Sequence, residues 1–130
     1  MQDPIWIREI EALAFHAQQI ALFGGSDGVR DRGLMSSALA RPKNLLAYAE
    51  TAPTMAELAA AYAYGISSNH PFLDGNKRTA MQVAFVFLEV NGVSVTATQE
   101  EAFITFLRLA AGEIAEAELA LWFAEHTTAC

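Results

Sequence analysis

One stretch limits the fold more than any other. A helix predicted from about Gly75 to Val90 carries Ala80, Val83, Ala84, Phe85, Val86, Phe87 and Leu88, apolar on nearly every face. Such a helix belongs at the centre of a domain, so the remaining elements must cover it. Asn91-Gly92 ends it. The covering elements also read as helices, which makes the fold class all-α. Thr54-x-x-Glu57 is a capping box that opens a helix through Met55, Leu58, Ala59, Tyr62, Ala63 and Ile66, ending before His70-Pro71. Thr98-x-x-Glu101 is a second one, leading into a helix through Phe103, Phe106 and Leu107. A last helix spans roughly Glu116 to Glu125 with Leu119, Trp122 and Phe123 turned inward, and His126 falls in a fraying tail.

The N-terminal half is less regular. Asp3-Pro4 supplies a capping side chain and a first-turn proline for a helix on which Ile5, Ile10, Leu13, Ala14, Ala17, Ile20 and Ala21 recur at helical spacing. Gly24-Gly25-Ser26-Asp27-Gly28 ends that helix in a loop. A short helix from about Gly33 to Ala40 stops near Pro42, and Asn44 to Pro53 reads as a short helix or an irregular flap. Val93-Ser94-Val95 reads as a short extended piece.

With 130 residues the chain fits one compact domain, 1–130, and leaves little room for a second. A net charge of −7 argues against direct nucleic-acid binding, which needs a clustered basic face. Cys130 has no partner cysteine, so no disulfide framework is built. No basic region followed by an apolar run opens the chain, and no apolar stretch reaches the length of a membrane span. The expectation is a cytoplasmic protein with no membrane association.

The chemistry concentrates in His70-Pro71-Phe72-Leu73-Asp74-Gly75-Asn76-Lys77-Arg78, a loop that leads into a helix N-terminus. Backbone N–H groups there lack partners and the helix dipole favours an anion. Lys77 and Arg78 oppose that dipole by about 0.3–1 kcal/mol each. Asp74 compensates in part, and a phosphate would compensate better. His70 can exchange a proton near neutral pH. Asp74 offers hard oxygens suited to Mg2+. Asn76, Lys77 and Arg78 can stabilise phosphate oxygens during transfer. Gly75 lets the backbone approach a ligand, and Phe72 anchors the loop to the core. Taken singly, these are also ordinary capping, turn and surface residues; their order and spacing carry the reading.

In that order and spacing the segment resembles the signature of the Fic/Doc family: a histidine, then Phe, an acidic residue, Gly-Asn and a phosphate-binding arginine. Gly24 to Leu34, continuing through Ser37-Ala38-Leu39-Ala40-Arg41-Pro42, is similar to the N-terminal region of the family's Doc branch. The resemblance runs from about Leu22 to Asn91. It implies a compact Fic/Doc-type helical bundle with the signature loop between two central helices, and transfer of part of a nucleotide to a hydroxyl of a target protein. It implies that His70 activates that hydroxyl, that Asp74 helps hold magnesium, and that Asn76 and Arg78 contact phosphates.

Two departures refine this. Fic enzymes that transfer AMP typically have a second glycine where this chain has Lys77 and a second arginine where it has Met81. The Asn-Lys-Arg form is that of the Doc branch, whose members phosphorylate a translation factor. The resemblance therefore implies phosphoryl transfer from ATP and inhibition of translation. AMP transfer is the alternative within the fold, and a catalytically idle module that binds an antitoxin-like partner is the alternative outside enzymology. The inhibitory Ser/Thr-x-x-x-Glu-Gly/Asn run of many Fic proteins is missing; its nearest approach, Thr96 to Glu100, is followed by Glu101. The expected restraint is an antitoxin whose disordered tail folds on binding.

Gly24 to Gly28 lacks the Gly-Lys-Ser/Thr ending of a P-loop and follows a helix. Arg30, Asp31 and Arg32 are expected to fix that loop by ion pairs. His16 reads as a surface or satisfied side chain, and no Cys/His cluster points to zinc.

Overall fold

A computed structural model describes residues 3–129. Six helices and a two-stranded sheet are found among them: α1 (Glu9–Phe23), α2 (Arg32–Tyr48), α3 (Met55–Asn69), α4 (Asn76–Val90), β1 (Val93–Val95), α5 (Gln99–Ala110), α6 (Glu116–Glu125) and β2 (Thr127–Ala129). The fold is all-α as expected, and among the described residues no helix is long and apolar enough to cross a membrane. Cys130 lies outside the described residues.

Two helices share the centre. On α4, Thr79, Ala80, Val83, Ala84, Phe87 and Leu88 are buried, as the all-round apolar pattern requires. α3 is buried over most of its circumference, because its alanines present little bulk and let α2, α4 and α6 pack on it together. Both predicted capping boxes form: Thr54 Oγ1 accepts from Glu57 N–H and Thr98 Oγ1 from Glu101 N–H, each at 3.1 Å.

The N-terminal prediction fails in register. Residues 3–7 are not helical, and α1 begins at Glu9, where the Glu11 carboxylate accepts the Arg8 N–H at 2.8 Å. Tertiary hydrogen bonds hold the preceding segment out of the helix. Ile5 N–H donates to Asn91 Oδ1 at 2.7 Å, Asn91 Nδ2 returns to Ile5 O at 2.9 Å, and Ile7 N–H donates to the Tyr62 hydroxyl at 3.0 Å. Pro4 and Ile7 are consequently buried, while Ile5 and Ile10 face solvent.

Tyr62 offers a test. Burial pushes its pKa up to about 12, the Ile7 hydrogen bond opposes the shift and the Glu11 carboxylate adds to it. The raised value means that this stabilisation is complete below about pH 10 and is lost as pH rises towards 12. Tyr62→Phe should destabilise the fold by about 1–2 kcal/mol, because the Ile7 N–H loses its acceptor. Urea denaturation at neutral pH measures the loss. Between pH 10 and 12 the variant should lose less stability than the parent.

α2 also departs from expectation: it runs through Pro42 to Tyr48. Pro42 has no N–H, so the Ala38 carbonyl loses its helical partner. Burial of Met35, Ala38, Leu39 and Pro42 outweighs that loss. α3 comes very close here, since a Cβ on Gly65 would lie 3.3 Å from both Cα and O of Ala38.

Regular structure continues beyond α6 as far as Ala129. β2 pairs antiparallel with β1, matching Val93 to Ala129 and Val95 to Thr127. His126, predicted to fray, stacks on Trp122 and lies 3.4 Å from Glu101 Oε2. On α5, Phe106 is buried, while Phe103 and Leu107 are exposed.

Candidate active site

The segment from His70 to Gly75 joins α3 to α4. Pro71 disfavours helical backbone at the residue before it, so α3 ends at Asn69. His70 caps it with φ 47° and ψ 57°, the one left-handed non-glycine residue among those described. Arg30 holds this reversal. Its Nε donates to His70 O at 2.7 Å, its Nη2 to Asn69 O at 2.8 Å, and its backbone N–H to Pro71 O at 2.7 Å. A cation there is favoured by the α3 dipole. Of the three charged residues expected to form ion pairs, only Arg32 does so, with Glu9 at 3.1 Å; Asp31 instead caps α2 through the Leu34 N–H.

Phe72 anchors the loop as predicted. Its ring is buried and stacks on His16 with centroids 3.9 Å apart and planes 6° from parallel. The His16 side chain is therefore satisfied and not on the surface, with Nε2 2.8 Å from Asp74 O. A carbonyl can only accept, so this nitrogen carries the proton. Asn76 clamps Phe72 from the other side: its Oδ1 accepts Phe72 N–H and its Nδ2 donates to Phe72 O, both at 3.0 Å. The loop also lies against the glycine-rich turn after α1. Val29 bridges Phe72, Leu73 N–H donates to Gly28 O, and a Cβ on Gly25 would fall 2.6 Å from Asp74 Oδ2. Gly25 also has φ +115°, a conformation that strains any side chain, so position 25 suits glycine.

His70, Asp74, Gly75, Asn76, Lys77 and Arg78 all line one cavity of about 420 Å³. Every residue singled out in the sequence for chemistry is thus brought together. His70 is exposed, and its Nδ1 is 3.5 Å from Asn76 Nδ2, the outer limit of a hydrogen bond. Gly75 takes φ +78° and starts α4, whose first-turn N–H groups at 76, 77 and 78 have no acceptor within the helix. Asp74 Oδ1 accepts the Gly75 N–H at 2.8 Å, which leaves its second oxygen for a metal. No cluster of three or more potential metal ligands occurs among the described residues. A lone carboxylate fits Mg2+, which completes its shell with phosphate oxygens and water.

The two first-turn cations find aromatic partners that the sequence did not disclose. Lys77 Nζ lies 4.9 Å from the centroid of Phe103 on α5, and Arg78 Cζ 5.0 Å from that of Phe23 at the end of α1. Such contacts contribute roughly 0.5–1 kcal/mol at exposed sites. Arg78 Nε is a buried donor with no hydrogen-bond partner. Leaving a buried donor unpaired costs about 1–3 kcal/mol, which an anion in the cavity would recover.

The loop brings a histidine, a carboxylate and two cations to the N-terminus of a central helix in an all-α domain. A family profile described as the Fic/DOC family matches residues 6–88, which contain the whole loop. The chain belongs to that family. Its relatives include Toxin Doc of Mycolicibacterium smegmatis, 43% identical over 75 residues that cover 58% of each chain. They also include Protein kinase doc of Escherichia phage P1, 36% identical over 110 residues, 85% of this chain and 86% of that one.

Proposed function

We propose that this protein is a Doc-type toxin that transfers the terminal phosphoryl group of ATP to a hydroxyl of a target protein, a translation factor, and so inhibits translation. The observation that carries the reading is the convergence of His70, Asp74, Lys77 and Arg78 on one cavity at the α4 N-terminus. The name of the phage P1 relative, a protein kinase, points the same way.

In this reading the acceptor oxygen bonds to the terminal phosphorus, the bond from that phosphorus to the ADP oxygen breaks, and the hydroxyl proton passes to His70. Lys77, Arg78 and the first-turn N–H groups stabilise the charge on the transferring oxygens. Asn76 serves through its backbone N–H, since its amide is committed to Phe72. Asp74 would hold magnesium, which would neutralise phosphate charge.

An antitoxin segment also has a fitting surface. A cavity of about 810 Å³ next to the first is lined by Phe23, Met81, Phe85, Phe103 and Phe106, with Lys77 and Arg78 on its border. An amphipathic helix seated there would cover both cations.

The experiment uses the purified protein, magnesium, a bacterial extract and ATP labelled on either the terminal or the innermost phosphate. Protein should take label from the terminal phosphate alone, and chelating the magnesium should stop transfer. Label arriving from the innermost phosphate would replace this reading with AMP transfer. Lys77→Gly tests the determinant: it should introduce AMP transfer where the parent shows none. Unchanged phosphoryl transfer by that variant would remove Lys77 from the argument.

A further inference from the structure

His70 lines two cavities. Besides the phosphate cavity there is a second one of about 370 Å³, and Ser67, His70 and Ala110 line both. We infer that this second cavity is the acceptor cleft: it admits the segment of the target protein that carries the acceptor Ser or Thr hydroxyl, flanked by small, uncharged residues. The inference rests on the transferase reading above and adds to it the place and chemistry of the second substrate.

The two cavities differ in charge. The first carries Asp74, Lys77 and Arg78 and opens on the N-terminal turn of α4, the positive end of its dipole. The second has no Asp, Glu, Lys or Arg in its lining. Its polar groups are the hydroxyls of Tyr64, Ser67 and Ser68, and its far wall is the C-terminal turn of α5, where Ala111 is the capping residue. A nucleotide's phosphates would meet no cation there and a negative dipole end, so they are steered to the first cavity. A charged acceptor side chain would be desolvated without a partner, whereas a hydroxyl and peptide groups find donors and acceptors. The Arg41 guanidinium lies 5.3 Å from the Tyr64 ring centroid and is paired with Glu116, and that of Arg30 is committed to the carbonyls of Asn69 and His70. A base between donor and acceptor must touch both spaces, and His70 does.

Ala111 is the position to test. It is exposed, lies outside the phosphate cavity and has ordinary right-handed helical backbone, φ −78° and ψ −4°, so a larger side chain strains nothing. Ala111→Arg and Ala111→Ser would be compared with the parent for labelling of extract proteins from terminally labelled ATP, for magnesium-ATP binding by calorimetry, and for thermal unfolding. Ala111→Arg should cut labelling at least 10-fold with nucleotide affinity and melting temperature unchanged, and Ala111→Ser, which adds neither charge nor much bulk, should reduce labelling far less than Ala111→Arg does. Equal labelling by the Arg variant would overturn the assignment. Loss of nucleotide binding in that variant would overturn it too, by giving the cleft to the donor. If the parent transfers neither label, the transferase reading itself fails and the acceptor cleft falls with it.

Discussion

His70→Ala should lower transfer of label to protein by a factor of about 10² to 10⁴, the usual range for removing a general base. His70 is exposed and its imidazole makes only the 3.5 Å contact with Asn76, so the fold loses little with the side chain. Its left-handed backbone does carry a cost for alanine, about 1–2 kcal/mol, which asparagine tolerates better. His70→Asn is therefore the cleaner variant: it should unfold close to the parent temperature and be as inactive as His70→Ala. Expressed without an antitoxin, both should lose toxicity. Full toxicity of either would end the enzymatic account and leave the binding module.

Phe72→Ala should be the most damaging substitution in the signature loop. The ring is 1% exposed, is stacked face to face on His16, and its backbone is bonded on both sides to the Asn76 amide. Truncating a buried phenylalanine typically costs about 3–5 kcal/mol. Here the cavity would also free His16 and Asn76, the two side chains that hold the loop against α1 and α4. Denaturant titration should show that loss. Protein kept folded at low temperature should still transfer label more slowly than the parent, because Asp74 and His70 are no longer held. Parent-like stability would mean that the Val29 bridge and Arg30 alone position the loop.

Both outcomes depend on the same division between local and distant information. The all-round apolar character of Ala80 to Leu88, the two Thr-x-x-Glu boxes and the His70-Pro71 stop are local signals, readable because each acts within one or two turns of chain. The chemistry of the signature loop was legible for the same reason. His70 to Arg78 span nine consecutive positions, so chain connectivity alone brings them to one helix end. What supports the loop was not legible. His16, Arg30, Phe23 and Phe103 reach it from 26 to 58 positions away, and nothing local in the sequence ties any of them to His70–Arg78.

The sequence by itself determined that this chain is helical, that α4 is enclosed, and that His70, Asp74, Lys77 and Arg78 stand together at its start. Tertiary structure alone decided where α1 begins and how far α2 extends. Asn91 and Tyr62 capture the backbone of Ile5 and Ile7, and burial of α2 on α3 overrides the proline. It also decided that the left-handed His70 lines both a cavity with charged side chains and one without Asp, Glu, Lys or Arg. That arrangement follows from hydrogen bonds and packing between residues far apart in the chain, which local propensity does not encode.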